Sequence, residues 1–205
     1  MSGGCAILMR SRCPMIKLII PLFALLLSPV SMAAPVAAPK LETATFAAGC
    51  FWGTEEMFRK LPGVMESKVG YAGGHKANPK YEETNDGSTG HAESVEIKYD
   101  PAKVSYTELL NLFFKMHDPT TKDRQGNDAG SQYRSAIFTH GEKQKAEALA
   151  FKAKVDKSKV WKAPVVTEIA EAKTFWPAED YHQKYLIKHP DGYDNHFVRK
   201  IDFGK

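Results

Sequence analysis

The stretch Gly49-Cys50-Phe51-Trp52-Gly53 sets one thiol between glycines and beside two large aromatics. Ala44-Thr45-Phe46-Ala47 before it reads as the end of a strand. Thr54 to Leu61 after it has helical spacing and stops at Pro62-Gly63. Cys50 is therefore expected at a strand-to-helix turn, where unpaired N–H groups and the helix dipole favour an anion. A thiol so placed can fall from a pKa of about 8.5 to roughly 3.5–7.5 and act as a nucleophile at neutral pH. Gly49 and Gly53 are expected to let backbone approach the reacting group. The competing account is a buried, inert cysteine.

A thiolate needs a partner that delivers a proton or holds the leaving oxygen. Glu93 opens a strand after a long polar loop; a carboxyl near aromatics can stay protonated and serve as the acid. Tyr81 within that loop and Tyr133 after a second one carry phenols that can donate to an oxygen. Asp128 sits in a Gly/Asn-rich loop. Phe51 and Trp52 could box a small apolar group. Each has a plainer account: a solvated glutamate, half-buried tyrosines, a turn aspartate, core aromatics. His91 reads as a structural hydrogen-bonding partner. His182, His189 and His196 recur every seventh residue, but Pro190 and Gly192 break any helix between them, so no metal is expected.

The elements that must carry these groups follow from periodicity. Strands are expected over 42–48, 64–70, 91–100, 133–139 and 165–170. Helices are expected after Cys50, over 106–116 with Thr107 as a weak cap, over 142–157 with Ala146, Leu149, Ala150 and Val155 inward, and over 178–187. Loops 75–90 and 117–132 would wall the site, and 189–205 reads as a polar tail. This order predicts an α+β domain with a mixed or antiparallel sheet and packed helices.

Composition limits the rest. The chain has 205 residues and a formal charge of +4. Arg10, Arg12 and Lys17, the apolar run Leu18 to Leu27 and Ser31-Met32-Ala33 read as a signal peptide over 1–33. Residues 34–41 read as a flexible leader and 42–205 as one catalytic domain. The apolar run is too short for a membrane span, and export to a bacterial periplasm is expected. Removal of the signal peptide takes Cys5 and Cys13, leaves Cys50 alone, and lowers the charge to about +1. That excludes an internal disulfide and a thiolate-ligated zinc. No basic stripe argues for nucleic acid. Three functions stay open on these grounds: a thiol-dependent reductase, a one-cysteine peroxidase or other thiol enzyme, and an exported binding module.

Gly49-Cys50-Phe51-Trp52-Gly53 resembles the signature of the peptide methionine sulfoxide reductase A family. The likeness continues through Gly70-Tyr71-Ala72-Gly73-Gly74, Thr89-Gly90-His91-Ala92-Glu93, Arg124-Gln125-Gly126-Asn127-Asp128, Gln132-Tyr133-Arg134-Ser135 and Phe175-Trp176-Pro177-Ala178-Glu179-Asp180-Tyr181-His182. It spans roughly residues 43–187. The resemblance implies a ferredoxin-like plait and reduction of methionine S-sulfoxide without metal or flavin. It implies Cys50 as nucleophile, Glu93 as acid, Tyr81 and Tyr133 on the sulfoxide oxygen, Asp128 in support, and Phe51 and Trp52 around the methyl group. Many relatives resolve the sulfenic acid with further cysteines. Here Asn85-Asp86 and the tail carry none, so an external thiol, such as a thioredoxin-like protein, is expected to resolve Cys50 in a monomer.

Overall fold

The computed structural model describes residues 40–204; the expected signal peptide and most of the leader lie outside them. Along the chain run β1 (Glu42–Ala48), α1 (Phe51–Arg59), β2 (Val64–Ala72), α2 (Tyr81–Asn85), β3 (Ala92–Tyr99), α3 (Tyr106–Met116), β4 (Arg124–Gln125), β5 (Asp128–Ala129), β6 (Ser135–Thr139), α4 (Glu142–Ser158), β7 (Glu168–Glu171), β8 (Trp176–Pro177) and α5 (Tyr185–Lys188). The large sheet has the order β7-β6-β1-β3-β2-β8, and β4 pairs β5 separately. Only β6 and β7 run parallel in it; the other pairs are antiparallel. The domain is a mixed-sheet α+β fold.

β1 explains why a Thr/Ala/Phe run is buried. It bonds β3 from Glu42↔Tyr99 to Phe46↔Val95 and β6 from Thr45↔Phe138 to Ala48↔Ser135, so neither edge meets water. Alternate side chains serve opposite faces. Ala44, Phe46 and Ala48 join the main core, while Ala47 joins Ala72, Ala92, Ala136 and Phe138 in a second cluster. Phe46 stacks on Phe58 of α1 at 4.6 Å and tilts against Phe113 of α3 at 5.4 Å. One aromatic thus fixes both helices on the strand that ends at the nucleophile.

α1 begins at Phe51, with Cys50 at its N-cap, as the strand-to-helix turn led one to expect. Several other expectations are corrected. The cap of α3 is Ser105, not Thr107: its Oγ accepts the Glu108 N–H at 3.2 Å, and the Glu108 carboxylate accepts the Ser105 N–H at 2.7 Å. In α4, Ala146, Leu149 and Ala150 face water; Gln144, Ala148, Phe151 and Val155 face inward. Gln144 is tolerated there because its Nε2–H donates to the Thr43 carbonyl and its Oε1 accepts the His140 N–H. Loop 75–90 contains α2, and loop 117–132 contains the β4–β5 hairpin and a 3₁₀ turn over Ser131–Tyr133. Tyr133 therefore precedes β6 rather than opening it. β7 starts at Glu168, three residues later than expected, and α5 covers only the end of the helix expected over 178–187.

Candidate active site

Cys50 sits where β1 hands over to α1 and is 7% exposed. The Thr54 hydroxyl and N–H both donate to the Cys50 carbonyl, which fixes the first turn. The N–H groups of Trp52 and Gly53 favour the thiolate, as the helix start predicts. They do not win. Burial, and then the neighbouring Glu93, hold the thiol well above its ordinary pKa. This runs against the low thiol pKa that the helix start suggests: burial favours the thiol form in the free site.

Glu93 lies on β3 and is 3% exposed. Its Oε2 accepts the N–H of Phe51 at 3.0 Å, the residue next to the nucleophile. Burial pushes its carboxyl up to about 8, with a further push from Asp128. Glu93 is therefore an acid at neutral pH: one oxygen is engaged by Phe51 and the other is left to carry the proton.

The two phenols gather round this pair. Burial, Glu93 and Cys50 push Tyr81, on α2, up to about 12. Burial, Glu93, Tyr81 and Cys50 raise Tyr133 as well. Both remain O–H donors at any physiological pH. The Tyr133 hydroxyl donates to Asn85 Oδ1 at 3.2 Å. Asp128, in β5, accepts the Tyr193 hydroxyl and an Asn195 Nδ2–H, each at 3.0 Å. Phe51 is fully buried. Trp52 is half-buried, stacked on Tyr185 at 3.7 Å, with its Nε1–H donating to His182 Nδ1 at 3.1 Å. All seven expected site residues are thus placed on elements that converge on the Cys50 turn.

The sequence reading missed the supports. His182 packs on Phe51 and Tyr81 at centroid distances of 5.0 and 4.5 Å. Glu179 accepts the Tyr71 hydroxyl at 2.9 Å and the Tyr81 N–H at 3.2 Å, so it sets where the Tyr81 ring begins. His91 does act structurally: Nδ1 accepts the Gly74 N–H and Nε2–H donates to the Lys76 carbonyl. The arrangement can attack an electrophilic atom with sulfur while protonating an oxygen attached to it.

Residues 42–202 match the family model described as peptide methionine sulfoxide reductase. The chain belongs to that family. A peptide methionine sulfoxide reductase MsrA of Methanosarcina mazei is 58% identical over 148 residues, covering 72% of this chain and 70% of that one. The structure of Mxr1 from Saccharomyces cerevisiae in reduced form aligns with a TM-score of 0.74 at 38% identity, covering 78% of this chain and 93% of that one. Mxr1 in complex with Trx2 aligns with a TM-score of 0.54 at 29% identity, covering 78% and 91%. The family's reaction fits a site built as an acid beside a thiol.

Proposed function

We propose that this protein reduces methionine S-sulfoxide, free or in proteins, to methionine. The observation that carries the proposal is the 3.0 Å hydrogen bond from the Phe51 N–H to Glu93 Oε2, which holds a carboxyl kept protonated by burial beside Cys50, the free cysteine among the described residues. A sulfoxide oxygen leaves poorly until it is protonated. Glu93 gives its proton to that oxygen, and Tyr81 and Tyr133 donate hydrogen bonds to it. The Cys50 thiol loses its proton as its sulfur attacks the sulfoxide sulfur. The attack forms an S–S bond; as the hydroxyl passes to Cys50 to give a sulfenic acid, that bond and the substrate's S–O bond both break, methionine leaves, and the thiol's proton restores Glu93. Sulfur of the substrate is reduced by two electrons and Cys50 is oxidised by two. Phe51 and Trp52 take the methyl group, and Asp128 keeps Glu93 in its neutral form.

Two external thiols close the cycle. The first condenses with the sulfenic acid, releasing water. The second reduces the mixed disulfide and restores the Cys50 thiol. Cys50 is the free cysteine among the described residues, and the likeness to an Mxr1 solved with Trx2 supports a thioredoxin-like donor. The βαββαβ order of β1, α1, β2, β3, α3 and β6 supports the finer fold assignment, a ferredoxin-like plait. Residues 1–33 are proposed as a signal peptide that exports a monomeric domain to the periplasm; the charge and hydropathy of that segment support this.

Turnover on the two sulfoxide epimers with thioredoxin and with a monothiol tests the function. Activity on the S epimer alone, abolished by Cys50→Ser, is expected. Modification of Cys50 by peroxide but not by sulfoxide would favour a peroxidase instead.

A further inference from the structure

The proposed catalytic groups all precede residue 134, yet the C-terminal segment reaches them. The Tyr193 hydroxyl and an Asn195 Nδ2–H take one oxygen each of Asp128, and Asn195 Nδ2 also donates to the Gln125 carbonyl at 3.1 Å. Both carboxylate oxygens are thus held from the tail. The buried His196 follows. Its Nε2–H donates to the Ala48 carbonyl at 2.7 Å, two residues ahead of the nucleophile, and its N–H donates to Asp194 Oδ1 at 2.8 Å. The glycines around Cys50 are what admit this layer. A Cβ on Gly53 would stand 2.2 Å from Asp194 Oδ1 and 2.3 Å from His196 Nδ1, and one on Gly49 would stand 2.6 Å from Gln125 Cβ. The glycines make room for protein, not for substrate as their sequence position suggests.

We propose that Asn195 and His196 are positioning residues that clamp the Asp128 carboxylate and the Cys50 turn in fixed relation to Glu93. The clamp rests on Glu93 being the acid of the reduction. A carboxylate gripped at both oxygens keeps one rotamer, so its charge stays at one distance from Glu93 and disfavours a second carboxylate there. Released, it can turn to water, where that effect is screened. The groups facing Glu93 come from several elements: Cys50 before α1, Tyr71 on β2, Tyr81 on α2, Tyr133 on the 3₁₀ turn and Asp128 on β5. Among them Asp128 is the lone carboxylate, so its placement adds to the larger push that burial gives the acid.

The test is the single-turnover rate of sulfenic acid formation against pH, with substrate affinity measured separately. Asn195→Ala is expected to slow the step about tenfold, since a misplacement of order 1 Å can cost a hundredfold. Its alkaline limb should move to lower pH while affinity holds. His196→Gln, which keeps an N–H for the Ala48 carbonyl, should retain more rate than His196→Ala. If Asn195→Ala does not fold, Tyr193→Phe removes the other grip on Asp128 and should shift the limb in the same direction. A lower melting temperature with wild-type rate and limb means a structural tail only and overturns the clamp. Glu93→Gln run alongside separates the two claims: a slow Glu93→Gln beside an unaltered Asn195→Ala sinks the clamp and spares the acid. A wild-type rate in Glu93→Gln sinks the acid itself.

Discussion

The Lys184 Nζ lies 2.7 Å from Glu55 Oε1, one helical turn past the nucleophile, and the Lys184 N–H donates to Glu55 Oε2 at 2.9 Å. Glu55 is buried, and Lys184 adopts a left-handed φ of +55° to reach it. This ion pair ties α1 to the segment that carries His182 and Tyr185. Lys184→Met leaves the Glu55 charge buried without its partner and is expected to cost about 3 kcal/mol. A denaturant titration reads the loss. An unchanged midpoint would mean that the residue-184 N–H and Ser67, which also donates to Glu55 at 3.0 Å, satisfy it between them.

Cys50 should alkylate slowly at pH 7. Burial holds the thiol protonated, and Glu93 adds to this once it ionises, so iodoacetamide reactivity should rise without an inflection below about pH 9. An inflection between pH 5 and 7 would restore the resting thiolate that the sequence led one to expect.

Glu93→Gln should slow sulfenic acid formation by about a hundredfold or more while leaving substrate affinity near wild type, because the acid acts on the leaving oxygen alone. Wild-type activity should fall as pH rises through about 8, where Glu93 loses its proton. Stability gives an independent check. The folded pKa lies above the unfolded value of about 4.3, so the folded state holds the proton longer. The native fold therefore loses stability across that window as pH rises. Glu93→Gln lacks this loss, so its melting temperature should gain on wild type between pH 4 and 8. A constant gap would place the Glu93 side chain in water.

Gly53→Ala inverts a general rule. In an exposed helix interior this change stabilises by about 1 kcal/mol. Here the new methyl would overlap Asp194 and His196. The variant should melt lower than wild type and release the tail to proteolysis. A stabilised variant would show that the tail does not occupy this position.

The core strands and α3 were legible because their apolar residues recur at periods of two and near 3.6. α4 was not: its alanines and lysines leave little contrast between faces, and the residue that decides its orientation is Gln144, turned inward by two hydrogen bonds. Cys50 stood out by its flanks, and the family pattern carried Glu93, Tyr81, Tyr133 and Asp128. A helix start, which favours the thiolate, is visible in a sequence; the depth of burial, which pushes the thiol up, is not. Asn195 and His196 were invisible for a different reason. They are polar residues in an aperiodic tail, and their partners lie 67 and 148 positions away.

That separation bears on when the protein becomes competent. β1 and the first turn of α1 are made first, but the seat beneath them is filled by His196, 148 positions after Ala48. A nascent polypeptide that has not yet reached His196 holds a nucleophile whose floor is missing. Birth order therefore delays the finished site until long after the nucleophile itself has been made.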